Sequence, residues 1–119
     1  MKKPDEFIPG RFYVNGYTRE QALLSVSEGW HLLIHKIFDR LDSETDKHII
    51  VDQVKEKWGV LRVYTSPMDE DVDNFIISVQ SESYKICEEC GKVGKLSVKN
   101  GRYKVVCEDH NEGYTELKS

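Results

Sequence analysis

The clearest periodic pattern of apolar residues in this chain lies between positions 28 and 41. The apolar positions there fall three or four residues apart, which places them on one face of an α-helix: Trp30, Leu33, Ile34, Ile37, Phe38 and Leu41. That spacing is typical of an amphipathic helix that packs one side against a core. Leu32 lies off this face, so we expect its side chain to be exposed.

The residues before this helix carry two N-terminal capping signals. Thr18 is followed three positions later by Gln21, and Ser25 is followed three positions later by Glu28. Each pair matches the capping box, in which the two side chains satisfy backbone amides at a helix start. The pattern therefore predicts either two helices or one helix that is broken near Gly29.

Two segments rich in β-branched residues predict strands at 48–54 and 60–65. In the second segment Leu61 and Val63 alternate with Arg62 and Tyr64, so one pair faces a core and the other faces solvent. Residues 55–59 are interpreted as the hairpin loop between the strands, with Gly59 supplying a backbone position open to positive φ.

A third helix is predicted at 69–86. Its core face holds Val72, Phe75, Ile76, Val79, Ser83 and Ile86. Four acidic residues crowd its first turn: Asp69, Glu70, Asp71 and Asp73. Negative charge at a helix N-terminus complements the helix dipole, and this explains the cluster without a ligand.

The two ends of the chain complete the predicted architecture. Residues 1–17 are expected to form an extended arm that packs its aromatic residues, with a short strand at 11–14. Residues 96–99 and 102–106 are predicted strands, and Asn100-Gly101 between them is a strong type I′ turn signal. We therefore predict an α+β fold in which a small antiparallel hairpin or sheet packs with two or three helices.

Composition and charge narrow the class of protein. A chain of 119 residues has a one-domain length, and its net charge of -4 disfavours a general nucleic-acid binder. No apolar run is long enough to span a bilayer, and no secretory signal is recognisable, so we predict a cytoplasmic protein without membrane contact. Three cysteines in a single site fit a reducing compartment better than a disulfide framework.

The cysteines give the strongest chemical signal. Cys87 and Cys90 form one Cys-x2-Cys pair, and Cys107 and His110 form a second pair sixteen residues further on. This is the ligand spacing of a structural zinc site. A redox-active Cys-x2-Cys pair would not need the second ligand pair at Cys107 and His110, and an iron–sulfur cluster usually takes four cysteines. Each ligand pair with its turn is called a knuckle. We predict one Zn²⁺ ion, and because four protein ligands leave no open position for water, its role is structural.

The zinc ligands also suggest how the C-terminal segment folds. A knuckle, a hairpin and a second ligand pair on a terminal helix would make a treble-clef-like fold, whereas a tail that is not helical would make a zinc ribbon. The predicted organisation is thus an arm at 1–17, an α+β core at 18–86 and a zinc hairpin at 87–119 that is integral to the same domain. The acidic residues beside the ligands are interpreted as solvated: Glu88, Glu89, Glu108 and Asp109.

Other candidate chemistry is weaker. His31 and His35 lie one turn apart on the main helix, on the side of Asp39 and Asp42, so a second metal site and a metal-dependent hydrolase are further alternatives. The H-E-x-x-H context is absent, and surface histidines are the favoured interpretation. Because no catalytic motif is present, we predict that the protein is not an enzyme.

Two surfaces are candidates for binding. Trp58 lies in the predicted hairpin loop with the basic residues Lys55, Lys57 and Arg62, and an exposed tryptophan there would make a good interface anchor. The alternative is that Trp58 folds back onto the core or the zinc module. The second surface is the zinc hairpin, which carries Lys92, Lys95, Lys99, Arg102, Tyr103 and Lys104. An aromatic among basic residues can bind nucleic acid, but such residues are also the ordinary wet face of an edge strand.

These motifs together resemble a family of small uncharacterised zinc-knuckle proteins from bacteria and their phages. The resemblance covers residues 28–112 and rests on Gly29-Trp30 at a helix start, on QVKEKWGVLRVY at 53–64, and on the two knuckles. The family pattern has phenylalanine in place of Trp58, and often tryptophan in place of Tyr103. The resemblance implies zinc at Cys87, Cys90, Cys107 and His110. It implies no activity, but the phage association of the family favours a small host-directed binding protein. A protein-interaction module, such as a phage-type inhibitor or adaptor that acts on a host protein, is therefore the leading expectation, and a nucleic-acid-binding zinc protein is the alternative.

Overall fold

The computed structural model describes residues 7–117. Its helices are α1 (Arg19–Leu24), α2 (His31–Ser43) and α3 (Glu70–Ser83). Its strands are β1 (Ile50–Lys57), β2 (Val60–Ser66), β3 (Lys95–Lys99), β4 (Arg102–Val106) and β5 (Thr115–Glu116). The strands form two antiparallel sheets, β1-β2 and β4-β3-β5. The predicted α+β class is therefore confirmed.

The first capping signal is confirmed and the second is wrong. Thr18 and Gln21 form a complete capping box at the start of α1. Ser25 instead follows the last residue of α1 as its C-terminal cap, and no side chain caps the 3-10 turn Glu28–Trp30 that leads into α2. Of the two predicted alternatives, the structure shows two helices, and the turn that contains Gly29 joins them.

The predicted apolar face of α2 forms the centre of the core. Trp30, Leu33, Ile34 and Ile37 are buried, whereas Leu32 is 73% exposed as expected. The core is completed by side chains from α1, from the β1-β2 sheet, from α3 and from β4: Ala22, Val51, Val54, Leu61, Val63, Val72, Ile76, Val79 and Val105. One core thus joins the helices to both sheets.

The β1-β2 hairpin is tighter than predicted. The strands stay paired up to Lys57 and Val60, so the turn contains only Trp58 and Gly59, and residues 55–57 belong to β1 instead of a loop. Trp58 and Gly59 both have positive φ, 57° and 78°, which is the backbone that a two-residue hairpin turn requires. β1 begins at Ile50, two residues later than the prediction, and carries an irregularity between Val51 and Gln53.

Helix α3 covers the outer edge of β2. The amide of Leu61 donates to Ser83 Oγ at 3.1 Å, and the amide of Val63 donates to Gln80 Oε1 at 2.8 Å. These side chains satisfy strand amides that would otherwise be open for pairing with another chain. The helix ends at Ser83, earlier than predicted, and Ile86 instead forms an isolated bridge with Val93.

The N-terminal arm is attached by aromatic packing. No strand forms at 11–14, so that prediction is wrong. The rings of Phe7, Tyr13 and Tyr17 lie 5.3–5.9 Å apart between centroids, and the amide of Tyr17 donates to the carbonyl of Val51 at 2.7 Å. Phe7, Tyr13 and Tyr17 therefore pack together as predicted, whereas Phe12 is 63% exposed; residues 1–6 of the arm lie outside the described range.

The C-terminal segment is a three-stranded sheet. β3 and β4 join at Asn100-Gly101, where both residues have positive φ as the turn signal predicted. After β4 the chain makes a single 3-10 turn, Glu108–His110, and returns as β5 beside β3. The tail up to residue 117 contains no α-helix, so the ribbon alternative describes this segment; residues 118–119 lie outside the description. Nowhere in residues 7–117 is a helix long and apolar enough to cross a membrane.

Candidate metal centre and binding surfaces

The four predicted ligands lie together. The ligand atoms of Cys87, Cys90, Cys107 and His110 all lie within 4.8 Å of one another, and the cysteines are free thiols. The Cys90 and Cys107 sulfurs are 3.6 Å apart, and His110 Nδ1 lies 3.2 Å from Cys107 Sγ and 3.8 Å from Cys87 Sγ. Two sulfurs bound at ~2.3 Å to a tetrahedral ion would be about 3.8 Å apart. The donor set therefore fits a tetrahedral metal ion.

Tight backbone turns bring each ligand pair to the centre. In the first knuckle the amide of Gly91 donates to the Cys87 carbonyl at 2.9 Å, and the Cys87 amide donates to the Lys92 carbonyl at 2.8 Å. Gly91 has φ of 81°, which favours glycine at this position. In the second knuckle the amide of His110 donates to the Cys107 carbonyl at 3.1 Å. Both pairs are thus positioned by local hydrogen bonds.

The electrostatics around Cys87 favour a thiolate. Burial raises the pKa of the Cys87 thiol, but hydrogen bonds from the backbone of Cys90, Cys107 and Glu89 outweigh burial and bring the pKa down to about 7. The thiolate is the form of cysteine that binds metal. The backbone around Cys87 is therefore arranged for a metal ligand.

The first knuckle is anchored to the helical core by Gly29 and Trp30. The amide of Gly29 donates to the Glu88 carbonyl at 2.7 Å, and Trp30 Nε1 donates to the Ile86 carbonyl at 2.9 Å. Trp30 is fully buried. The sequence predicted the Gly-Trp pair only as a helix start and did not reveal this role.

Glu88 corrects one prediction. It was expected to be a solvated knuckle residue, but only 5% of it is exposed. Its Oε2 accepts a hydrogen bond from the amide of Val105 at 3.0 Å, and its own amide donates to the Val105 carbonyl. Burial raises the pKa of the Glu88 carboxyl to about 7, against the lowering effect of the Val105 hydrogen bond. Glu88 therefore joins the first knuckle to the edge of β4. Glu89, Glu108 and Asp109 are exposed as expected.

Arg19 occupies the position on α2 where a second metal site was considered. Its Nη1 donates to His35 Nδ1 at 3.0 Å, and its Nη2 lies 2.9 Å from carboxylate oxygens of both Asp39 and Asp42. A guanidinium thus takes the place that a metal ion would need, and His31 is not part of the group. Among residues 7–117 the Cys3His cluster is the only set of three or more ligands close enough to share an ion.

Trp58 and Tyr103, predicted for two separate surfaces, lie together. Their rings make an edge-to-face contact with centroids 5.7 Å apart, and Trp58 is still 62% exposed. The contact exists because Gly59 lies against the backbone of β4: a Cβ there would come within 3.1 Å of the Lys104 nitrogen and 2.6 Å of Leu96 Cδ1. The first hairpin turn therefore packs against β4. A cleft of about 480 Å³ beside this contact is lined by Glu56, Trp58, Glu88, Gly101, Arg102, Tyr103, Lys104 and Tyr114.

Two of the five basic residues of the C-terminal hairpin are ion-paired. Lys95 lies 3.4 Å from Glu116, and Lys104 pairs with Glu89. Lys99 donates to the Glu112 carbonyl at 2.8 Å, and its ammonium lies over the ring of Tyr114, but neither contact neutralises its charge. Within residues 7–117 Lys92 and Arg102 make no ion pair either. The ion pairs therefore reduce the positive charge of this hairpin without removing it.

The basic residues of the first hairpin are arranged differently. Lys55 and Arg62 are direct cross-strand partners, and Lys57 is paired with Val60 next to the turn. The Lys55 ammonium lies 5.7 Å from the centroid of the Tyr64 ring. No ion pair involves any of the three cations within residues 7–117. The structure thus places the predicted residues around Trp58 on one exposed hairpin.

Comparison of the chain with protein-family models, with curated proteins and with solved structures gave no match. The resemblance to the zinc-knuckle family therefore stays a prediction from motifs.

Proposed function

We propose that this chain is a non-enzymatic protein-interaction module whose C-terminal segment is held by one structural Zn²⁺ ion. Three thiolates and one imidazole are a donor set that suits zinc, and four protein ligands leave no position at which water could be activated. Such a site functions in a reducing compartment, which supports a cytoplasmic location. The ion would fix the C-terminal sheet, and with it the exposed aromatic surface at the two turns.

The observation that supports this proposal is the positive φ angle of Trp58. The chain contains two similar two-residue turns, Trp58-Gly59 and Asn100-Gly101. Their φ angles match closely, 57° and 78° against 50° and 78°. Asparagine is favoured at the first position of such a turn, whereas a bulky residue with positive φ is a strained exception. Folding alone would therefore favour asparagine at position 58.

A strained and exposed aromatic residue in this turn is explained by binding. Backbone strain of this kind concentrates at functional sites, because selection for folding would otherwise remove it. Tryptophan is also among the residues that contribute most to protein interfaces when buried by a partner. The edge-to-face contact with Tyr103 fixes the ring of Trp58 before binding, and this lowers the entropy lost on association.

The motif resemblance over residues 28–112 supports a bacterial protein as the partner. A family shared by bacteria and their phages suits a small inhibitor or adaptor that acts on a bacterial host protein. The exposed aromatic surface formed by Trp58 and Tyr103 is compatible with a binding role.

The test is capture of a partner by the full, zinc-loaded chain from bacterial lysate, with and without nuclease treatment. We expect a stoichiometric protein partner that survives nuclease and is lost with Trp58→Ala. The matched control is Leu32→Ala, which removes another exposed apolar side chain, on α2. A partner retained by Trp58→Ala would contradict the proposal, as would recovery of nothing but nucleic acid.

Nucleic acid binding is the second candidate, because Arg102 and Tyr103 line the same cleft as Trp58. A base could stack on the aromatic rings while Arg102 and Lys99 contact phosphates. The internal pairing of the neighbouring lysines and the net charge of -4 weigh against it. A salt-dependent mobility shift with single-stranded DNA or RNA, lost with Arg102→Ala, would favour this candidate.

A further inference from the structure

The solvent face of the β1-β2 hairpin carries uncompensated positive charge. Lys55 and Arg62 are direct cross-strand partners, and like charges in that arrangement destabilise a sheet. Lys57 lies two positions along β1 from Lys55, on the same face. In the part of the chain that the structure describes, none of these three side chains has a carboxylate partner. We call Lys55, Lys57 and Arg62 the basic hairpin face.

The intramolecular contacts of this face do not supply negative charge. Lys55 lies over the Tyr64 ring, which offers a cation–π contact but leaves the net charge unchanged. The nearest acid along β1, Glu56, accepts a hydrogen bond from the amide of Gly59 in the turn. The repulsion between the cations of this face is therefore not relieved within the chain, and an anionic group from outside the chain would relieve it.

An apolar groove adjoins the basic hairpin face. It lies at the junction of β2 and α3, has a volume of about 350 Å³, and is lined by Arg62, Val63, Tyr64, Thr65, Asp73, Ile76, Ile77 and Gln80. Ile77 is 56% exposed and Tyr64 is 43% exposed. An exposed isoleucine opposite an exposed tyrosine makes a site for one apolar side chain. Arg62 belongs to both the groove and the basic hairpin face, so the two are continuous.

We propose that this combined surface binds an acidic peptide segment of a protein partner, with one aliphatic side chain of the peptide in the groove. This rests on the proposed function and specifies the chemistry of the partner. A carboxylate placed between Lys55 and Arg62 would remove their mutual repulsion, and the Arg62 guanidinium can hold it in a bidentate geometry. The charge of the face thus selects an acidic segment, and the groove selects its apolar residue.

The groove favours a peptide over a nucleic acid. Val63, Ile76 and Ile77 offer aliphatic walls, whereas bases are held mainly by stacking on aromatic rings. Asp73 also lines the groove and repels any anion, so the carboxylates of the peptide lie on the basic hairpin face and its apolar side chain enters the groove.

The test is selection of a random peptide display library on the zinc-loaded full chain. We expect the enriched peptides to combine Asp or Glu residues with one Leu, Ile or Val. Their affinity should fall at least about tenfold with Lys55→Glu, which corresponds to one charge-mediated contact. Ile77→Ser should weaken the same peptides, because it makes one wall of the groove polar. Lys85→Glu, a reversal of an exposed lysine outside the surface, is the matched control and should leave binding unchanged.

Lys55→Glu also separates binding from folding. The variant places a glutamate opposite Arg62, so its melting temperature should be equal to or higher than that of the parent chain. Enriched peptides without acidic residues, binding that survives Lys55→Glu, preferential binding of an oligothymidylate probe, or no enrichment at all would each overturn the inference. The proposed function is judged separately: partner capture from lysate that survives Lys55→Glu but not Trp58→Ala would leave it standing.

Discussion

The amide of Gly29 donates a 2.7 Å hydrogen bond to the carbonyl of Glu88, and this contact joins the start of α2 to the first metal knuckle. The approach is so close that a Cβ on Gly29 would lie 2.0 Å from the Cys87 carbonyl oxygen and 2.5 Å from the Glu88 carbonyl carbon. Both atoms belong to the backbone and cannot rotate away. The metal segment and the helical core are therefore fitted to each other at a position where only glycine is possible.

Gly29→Ala should separate these two parts. The added methyl group must displace either the knuckle or the start of α2, and we expect a loss of at least about 2 kcal/mol in the free energy of unfolding together with weaker metal retention. Denaturant unfolding and competition with a chromophoric chelator measure the two effects. Gly101→Ala is the control, because nothing lies within 4 Å of that position and only positive-φ strain is added. Equal effects of the two substitutions would contradict the prediction.

Metal removal should disorder the C-terminal segment and loosen its attachment to the core. Apparent zinc binding free energies of about 10–16 kcal/mol in zinc-finger peptides are large enough to decide whether such a segment folds. The indole proton of Trp30 reports the attachment, since it is hydrogen-bonded to Ile86 next to the first ligand. We expect that a strong chelator shifts the indole resonance and speeds its exchange with solvent. Metal retention should also fall as the pH is lowered, because protons compete for the thiolates and the imidazole.

A metal-depleted chain with an unchanged indole signal would show that the core holds the knuckle without the ion. Cys90→Ser provides an independent check. Cys90 is the exposed ligand, so its substitution removes a metal bond with little change in packing. It should reproduce the effect of the chelator.

Glu88 should stabilise the edge of β4 as a hydrogen-bond acceptor. Glu88→Ala leaves the buried amide of Val105 without its partner, and we expect a loss of about 1–3 kcal/mol in stability. Glu88→Gln keeps an acceptor oxygen at the same place and should lose less. Thermal unfolding of the two zinc-loaded variants measures the difference. If both substitutions cost the same, the role assigned to the Val105 hydrogen bond is wrong.

The sequence predicted the elements whose patterns are local. The apolar face of α2, the turn at Asn100-Gly101 and the clustering of Cys87, Cys90, Cys107 and His110 all follow from spacing within a short window. The structure confirms the face and the turn, and it brings the four side chains close enough to hold a metal ion.

The predictions were wrong where contacts with residues distant in sequence determine the local structure. Glu88 was expected in solvent because its neighbours are ligands, but β4 buries it from a position seventeen residues away. The loop at 55–59 was predicted too long because tryptophan is disfavoured at positive φ, and the contact of Trp58 with Tyr103 is not visible from sequence. His35 was weighed as a metal ligand because the position of Arg19 could not be foreseen.

Ser83 illustrates a polar residue at a core position that has a specific partner. It is fully buried on α3 and accepts a hydrogen bond from the amide of Leu61 in β2. Ser83→Ala should cost about 1–3 kcal/mol, because the buried amide loses its acceptor. Ser81→Ala is the matched control on the same helix, since Ser81 is exposed and bonds only to the carbonyl of Ile77. It should change stability by less than about 0.5 kcal/mol. Denaturant midpoints of the two variants test this, and equal shifts would refute it.

Trp58→Asn should separate folding from binding. Asparagine tolerates positive φ, so the substitution relieves strain of about 1–2 kcal/mol. It also removes the edge-to-face contact with Tyr103, which is worth about 0.5–1.5 kcal/mol. The two effects oppose each other, and we expect a net change in stability within about 1 kcal/mol. Partner capture from lysate should nevertheless be lost, because the anchor is gone.

The Asn100-Gly101 turn shows that this backbone forms readily with asparagine in the same chain, so Trp58→Asn has an internal precedent. A loss of stability much above 1 kcal/mol would mean that Trp58 is a structural link between the two hairpins. Retained binding at unchanged stability would mean that the partner uses another surface. Only the combination of kept stability and lost binding fits a tryptophan that is maintained for recognition, since a residue selected for folding would not occupy the disfavoured conformation.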